Sequence, residues 1–138
     1  MKGKILLSYG SGGKYTQEFI NNYILKYFSN NILNQLLDSA VIKIDKTKLA
    51  FTTDGYTIDP IFFPGGDIGK LSICGTINDL LCVGAKPLYI SLSLIIEEGL
   101  DFETIEKILS SIKQTAQQEN VSIVCGDTKV VPKGSCDK

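Results

Sequence analysis

The chain predicts a single α/β domain. Three observations carry that expectation: apolar residues recur at three- and four-residue steps in three separate segments, short alternating or continuous apolar runs lie between them, and the two kinds of segment interleave along the chain. The expected order is helix, two strands, helix, strand, helix, strand. No internal repeat, low-complexity tract or Pro-, Gly- or Ser-rich linker interrupts the chain. Its 138 residues suit one domain with one core.

In residues 15–28, Phe19, Ile20, Tyr23, Ile24, Tyr27 and Phe28 fall on one helical stripe, with Asn21, Asn22 and Lys26 on other faces. Ala40, Ile42 and Ile44 alternate with Val41 and Lys43 as a strand. The DKTK stretch should turn the chain, and LAFTTD return it as a second strand. In FFPGGDIGK, residues 62–70, Pro-Gly-Gly breaks the chain and Asp67 is placed to cap a helix over residues 67–83. The buried stripe expected there is Ile68, Leu71, Cys74, Ile77 and Leu81, ended by Gly84 and Pro87. LYISLSLII sets Ile90, Leu92, Leu94 and Ile96 against Tyr89, Ser91 and Ser93, a strand with one wetter face. Asp101 should cap the next helix, whose stripe is Phe102, Ile105, Ile108, Leu109, Ile112 and Ala116, with Glu103 within reach of Lys107. VSIVC is then a short strand running into a GDTK loop. The chain stops at VVPKGSCDK, directly after a strand and a turn, and truncation is the expectation for that boundary.

Composition excludes several classes. Fourteen basic and fifteen acidic residues leave a net charge of -1, so no electrostatic footprint draws the chain to nucleic acid or an anionic membrane. The longest apolar stretch, LSICGTINDLLCVGA, is broken by Asn78 and Asp79 and falls short of the ~20 residues of a membrane helix. MKGKILLSYG is too soon polar for a secretory signal, so a cytoplasmic protein is expected. Cys74, Cys82, Cys125 and Cys136 form no CxxC pair and there is no histidine, so a zinc site would need thiolates or carboxylates alone. Packing is the expected role of these cysteines; Cys136, near the carboxyl end, reads as an ordinary surface cysteine.

Acids stand at the ends of the expected elements: Asp54 after the second strand, Asp67 at the start of the central helix, Asp79 within it, Asp127 after the last strand. Asp79 beside Leu80, Leu81 and Cys82 is costly unless it faces water, is paired or binds a metal. If Asp54, Asp79 and Asp127 converge, they make an oxygen-rich site that suits Mg²⁺, whose natural companion is a nucleoside triphosphate. The run YGSGGK could bring the backbone N–H groups of Gly10, Ser11, Gly12 and Gly13 close to phosphates, with Lys70 and Lys129 adding positive charge. It lacks the spacing of a P-loop, and a plain amino-terminal loop and a water-facing Asp79 stay open as alternatives.

These segments carry a resemblance. SYGSGGK, the run from LAFTTDGY through FFPGGDIGK to the NDL helix and its GA-x-P exit, and VCGDTKVVPKG resemble the amino-terminal half of the HypE family of hydrogenase maturation factors, the carbamoyl dehydratases. That family belongs to the ATP-using superfamily of aminoimidazole ribonucleotide synthetase (PurM-like). The resemblance implies a mixed four-stranded sheet with helices on one face, two such sheets pairing into a β-barrel across a homodimer, and ATP with Mg²⁺ near the interface. It implies a reaction in which a carbamoyl group on the enzyme's own carboxy-terminal cysteine is dehydrated to a thiocyanate, the source of the cyanide ligand of [NiFe] hydrogenase. The implied partners are a carbamoyltransferase and iron-cyanide assembly proteins.

By the same resemblance, Asp54, Asp79 and Asp127 match the family's magnesium positions, and Lys129 the lysine near the reacting phosphate or amide; Asp79 and Lys129 are then the catalytic pair. Thr128 and Asn78 match polar neighbours of the nucleotide, and Lys70 a basic residue near phosphate. Tyr9 stands where the family usually has histidine, so any role of that histidine is absent or altered. The carboxy-terminal cysteine and domain have no match here, so the 138 residues are expected to bind nucleotide without completing a turnover. A non-catalytic dimerising module for hydrogenase assembly factors, or another ATP-dependent enzyme of the superfamily, are the alternatives.

Overall fold

The computed structural model describes residues 7–9 and 13–136; Gly10, Ser11 and Gly12 of the Gly-rich run lie outside the described residues. After a 3-10 turn (Leu7–Tyr9), α1 (Gly13–Phe19) passes through a π-helical turn (Ile20–Ile24) into α2 (Leu25–Phe28), so the first expected helix is present. Its stripe is only partly covered. Phe19 stacks on Tyr23 with ring centroids 5.4 Å apart and Tyr9 packs on Phe19 at 5.9 Å, whereas Tyr27 and Phe28, expected on the same face, are exposed. A π turn inserts one residue into the helical register and rotates the succeeding turn by about 100°, which takes these two rings off the stripe.

β1 (Ala40–Ile44) and β2 (Thr47–Phe51) form an antiparallel hairpin with Ala40 opposite Phe51 and Ile44 opposite Thr47. Its turn is tighter than the DKTK expectation. Asp45 and Lys46 make it, Asp45 in the left-handed region at φ +51°, and Thr47 and Lys48 already belong to the strand. The FFPGGD run then folds into a small hairpin of β3 (Phe62–Phe63) and β4 (Gly66–Asp67), turning at Gly65 with φ +94°.

Asp67 ends that hairpin and opens α3 (Ile68–Cys82). Its Oδ1 accepts from the N–H groups of Gly69 at 2.7 Å and Lys70 at 3.1 Å, the cap expected from the sequence, and its Oδ2 accepts from the Ser111 hydroxyl at 2.6 Å. Ser111 lies on α4 (Phe102–Gln118), so one carboxylate both starts α3 and ties it to its neighbour. Gly69 permits the close crossing: a Cβ there would sit 2.7 Å from the Ile108 carbonyl oxygen. The face of α3 that meets α4 is Ile73 and Ile77, Leu80 being buried toward the cleft, while Leu81, expected on the buried stripe, is 54% exposed. α3 is apolar on most sides, so its own periodicity does not select a face; Ile108, Ile112 and Ala116 of α4 do.

α4 departs from expectation at its start. Asp101 occupies the cap position but its side chain makes no capping bond; its carbonyl instead accepts the Thr104 and Ile105 N–H groups, and Phe102 is 89% exposed. Leu109 is also exposed, on the flank of the Ile108–Ile112–Ala116 stripe. The expected Glu103–Lys107 pair is made at 2.7 Å on an exposed face, where solvent screens it.

β5 (Tyr89–Glu97) pairs in parallel with β6 (Ser122–Val131), α4 being the crossover between them. Ile90 is buried and Leu92, Leu94 and Ile96 half-buried, while Tyr89, Ser91 and Ser93 are exposed, as the alternation requires. Ile90, Val121 and half-buried Leu92 close the core against Ile73, Ile77, Ile108, Ile112 and Ala116. GDTK is not a loop: β6 runs through it, with Asp127 opposite Ser93 and Lys129 opposite Ile95.

The mixed four-stranded sheet is not what the described strands form. They make three two-stranded sheets, β1–β2, β3–β4 and β5–β6. β2 and its exit, Ala50 to Asp54, face Tyr89 to Ser91 of β5 across a cleft rather than through ladder hydrogen bonds. The cysteines pack less than expected: Cys74 and Cys136 are half-buried, Cys82 and Cys125 exposed, all four as free thiols. No helix among the described residues is long and apolar enough to cross a membrane.

The two caps give a paired prediction. Asp67→Ala removes three hydrogen bonds at the α3–α4 junction and should cost about 2 kcal/mol in urea unfolding. Asp101→Ala, which removes no side-chain bond, should stay within about 0.5 kcal/mol of the parent; equal losses for the two would contradict the geometry.

Candidate functional site

Asp79 lies in the last turns of α3, half-buried, where the helix passes the exit of β2. Its backbone carbonyl accepts from Ser39 Oγ at 2.8 Å, and Ser39 is buried at the entry to β1, so hairpin and helix are pinned together beside the carboxyl group. Thr52 Oγ1 lies 3.2 Å from Asp79 Oδ2 and 3.0 Å from the Asp38 carbonyl oxygen. One hydroxyl proton serves one of these acceptors at a time. When Asp79 carries a proton it can donate to Thr52, and the threonine proton goes to Asp38.

Asp54 follows β2 by three residues and is exposed. Its Oδ2 accepts from the Tyr56 phenol at 3.0 Å, and the same phenol oxygen lies 3.2 Å from Thr76 Oγ1 on α3. Burial raises the Tyr56 phenol above its ordinary acidity range; the Thr76 bond opposes this, and the bond to Asp54 with the charges of Asp54 and Asp79 adds to it. Asp79 is likewise raised above the ordinary carboxylate value, by burial first and then by the negative charge of Asp54, with the Thr52 bond working against the shift and Asp38 adding a smaller push. The ion pairs among the described residues are Lys14–Glu18, Glu103–Lys107 and Asp127–Lys129, so no lysine offsets this acidic pocket. Thr52, Asp54, Thr76, Leu80, Tyr89 and Ser91 line a cleft of about 120 Å³ beside it.

Of the residues expected to converge, Asp54 and Asp79 come together. Asp127 is held apart from a shared cluster: Lys129 Nζ bonds its two oxygens at 2.8 and 2.7 Å, and the Thr128 N–H bonds Oδ1 at 2.9 Å. Among the described residues no three acidic, cysteine or histidine side chains stand in metal-binding proximity. The reason lies in the strand. Residues 127 and 129 project to the same side of β6, so the lysine meets its neighbouring carboxylate first. Lys70 Nζ folds back on the Gly65 carbonyl at 3.1 Å, over its own loop, and Asn78 is exposed one residue before Asp79. Gly13 opens α1 at φ +79°, and Tyr9 packs against Tyr15 and Phe19.

Sequence reasoning missed Asp38, Ser39, Thr52, Tyr56 and Thr76. A signal for part of this set was present: Gly75 interrupts an apolar helical run, where glycine costs about 1 kcal/mol relative to alanine and calls for a packing or functional reason. The space a Cβ at Gly75 would take is filled by the Tyr56 hydroxyl and ring.

A helix pair packed over a parallel strand pair, with a hairpin set beside it, recurs in known proteins. Residues 37–138 match the family model of AIR synthase related protein, N-terminal domain, and the chain belongs to that family. Within it, the chain is similar to carbamoyl dehydratase HypE of Escherichia coli K12, 47% identical over 139 residues that cover 97% of this chain and 41% of the relative. It is 50% identical to a hydrogenase expression/formation protein of Methanocaldococcus jannaschii over 92% of this chain and 40% of the relative. Solved structures of HypE in complex with ATP (TM-score 0.65, 49% identity, 98% of this chain and 40% of that one) and of a HypE–HypF complex (TM-score 0.80, 44% identity, 87% and 38%) superpose on it. A thiamine monophosphate kinase at 18% identity and TM-score 0.68 shares the fold. The chain spans about two fifths of the length of the relatives it matches.

The raised Asp79 gives a signed prediction. The folded chain holds this proton to a higher pH than the unfolded chain, so its contribution to stability is fully present below the ordinary value of 3.8 and is lost as pH rises through the raised value. Asp79→Asn removes that loss. In metal-free buffer its thermal midpoint should exceed the parent's at neutral pH, and the gap should shrink as pH falls below the carboxylate range; a gap independent of pH would remove the repulsion argument.

Proposed function

We propose that this chain is the nucleotide-binding part of an ATP-dependent carbamoyl dehydratase of the HypE type, and that the Asp54–Asp79 pair is its magnesium and phosphate site. The observation that carries the reading is that pair: two carboxylates brought together, one of them raised above the ordinary carboxylate value by burial and then by the charge of the other, with no lysine among the described residues paired to either. Adjacent carboxylates without a cationic neighbour are relieved by a divalent cation, and an all-oxygen donor set suits magnesium. The ATP complex of a 49% identical relative supports nucleotide as the companion ligand. Magnesium bound there would neutralise phosphate charge during phosphoryl transfer.

The chain's own residues then divide the work. Asp54 and Asp79 would hold the cation, which would neutralise phosphate charge; Thr52 and Tyr56 orient the two carboxylates. Asp127, Thr128 and Lys129 sit together on β6, and Lys129 is the group proposed to meet the reacting phosphate or amide, with Asp127 holding its ammonium in place. Gly10, Ser11, Gly12, Gly13, Lys70 and Asn78 are proposed as further contacts to the nucleotide. The reaction is the dehydration of a thiocarbamate amide: the amide oxygen attacks the terminal phosphorus of ATP and displaces ADP. Loss of the N–H protons with departure of phosphate then leaves S–C≡N. The departing phosphate and solvent take those protons, Lys129 is proposed to steady the developing phosphate charge as an ammonium, and the carbamoylated thiol is supplied by a carboxy-terminal cysteine as in the family, not by half-buried Cys136.

The exposed apolar side chains of Leu49, Phe51, Tyr89 and Ile95 on the open strands support a homodimer closed through these sheets into a barrel. The HypE–HypF structure supports a HypF-like protein as a partner; other hydrogenase assembly factors and a cytoplasmic setting are proposed with it.

Calorimetric titration tests the reading. ATP should bind the parent chain more tightly with Mg²⁺ than in EDTA, and Asp79→Ala should abolish the magnesium-dependent part by at least about 10-fold, the usual cost of losing part of a metal site. Equal ATP binding with and without Mg²⁺ would overturn the assignment.

A further inference from the structure

The geometry points to Tyr56 as a positioning residue for Asp54, seated through a gap left by Gly75 on α3; the inference rests on the reading of Asp54 and Asp79 as the magnesium site. Asp54 stands beyond the last ladder pair of β2, on a segment whose backbone no strand pairing holds. Its carboxylate would turn freely there without an external partner. The Tyr56 phenol is one such partner, at 3.0 Å from Oδ2, beside the hydrogen bond that Asp54 shares with Asp79.

The direction of the bonds is set by the acceptors. The phenol has one proton, and an ionised carboxylate is a stronger acceptor than a hydroxyl, so the proton goes to Asp54. Thr76, 3.2 Å away, then donates to the phenol oxygen, and the order is Thr76 to Tyr56 to Asp54. A helix residue thus fixes, through a tyrosine, the orientation of a carboxylate on a loop.

The tyrosine reaches this position because of what α3 lacks. A Cβ on residue 75 would meet the Tyr56 hydroxyl in a severe overlap and the ring carbons Cε1 and Cζ at 2.7 and 2.8 Å. Glycine in a helix interior is disfavoured by about 1 kcal/mol against alanine, and at residue 75 the space it opens is the seat of the ring. A tyrosine serving only as filler would need the ring and not the hydroxyl. Two substitutions separate these cases: Tyr56→Phe keeps the ring and removes the donor, while Gly75→Ala keeps the donor and pushes the flexible ring away from its seat.

The test measures Mn²⁺ binding alone by electron paramagnetic resonance and ATP binding with and without Mg²⁺ by calorimetry, on the full chain. Tyr56→Phe and Gly75→Ala should each weaken Mn²⁺ and the magnesium-dependent part of ATP binding about 10-fold, in the range for removing a partner of a metal-binding carboxylate. ATP affinity in EDTA and the cooperative thermal transition should stay as in the parent. A parent that binds metal while Tyr56→Phe binds it equally well overturns this inference and leaves the site assignment standing. A parent whose ATP binding ignores Mg²⁺ overturns both. If Gly75→Ala does not fold, Tyr56→Phe decides alone.

Discussion

The carboxylate of Asp67 is bonded on both oxygens, to the first N–H groups of α3 and to Ser111 of α4, and the placing of α3 depends on that clamp. α3 is apolar on most sides and could turn several faces to the core. The cap fixes where it starts, the contact of Gly69 with the Ile108 carbonyl fixes how near α4 comes, and Ile73 and Ile77 then settle against Ile108, Ile112 and Ala116. Once that face is chosen, Gly75, Thr76 and Asp79 are turned toward the hairpin and the cleft. The functional side of the helix is the complement of its buried side.

Charge is distributed on the same logic. Lys129 and Asp127 neutralise one another on β6, and Glu103 and Lys107 do so on α4, while Asp54 and Asp79 meet at the open end of the hairpin, near Asp38, with no ion pair to a described lysine. Like charges so close weaken the fold, a cost that the proposed cation would offset. The hydroxyls of Ser39, Thr52, Tyr56 and Thr76 make it tolerable by supplying donors to the carboxylates and to the backbone around them. The site is therefore built from two layers: carboxylates that repel, and hydroxyls on α3 and on the segments before β1 and after β2 that hold them.

Much of the fold was legible in residue order. The two-residue alternation of β5, the cap at Asp67 and the stop at Gly84 are local properties, fixed by side-chain pattern and backbone chemistry. The errors fell where a local pattern has several solutions. Asp101 has the right residue type for a cap, yet its carbonyl alone meets the first turn of α4; Leu81 fits the helical period of α3, yet α4 meets the face of Ile73 and Ile77. GDTK has the composition of a turn, but pairing with β5 draws it into a strand.

The sequence by itself determined which residue types were available for chemistry. With no histidine and no paired cysteines, the acids at element ends had to be the candidates, and the motifs running from the TTDGY segment to GDTKVV carried the family resemblance. Only the tertiary structure decided which acids meet. Asp54 and Asp79, 25 positions apart, come together because β1 is pinned to α3 through Ser39, whereas Asp127 is claimed by the lysine two residues along its own strand. Proximity across a fold is set by packing between elements, which residue order encodes only through the sum of many weak contacts. The pairing of Tyr56 with Gly75 belongs to that second kind: a glycine in a helix announced a gap, and the fold supplied what fills it.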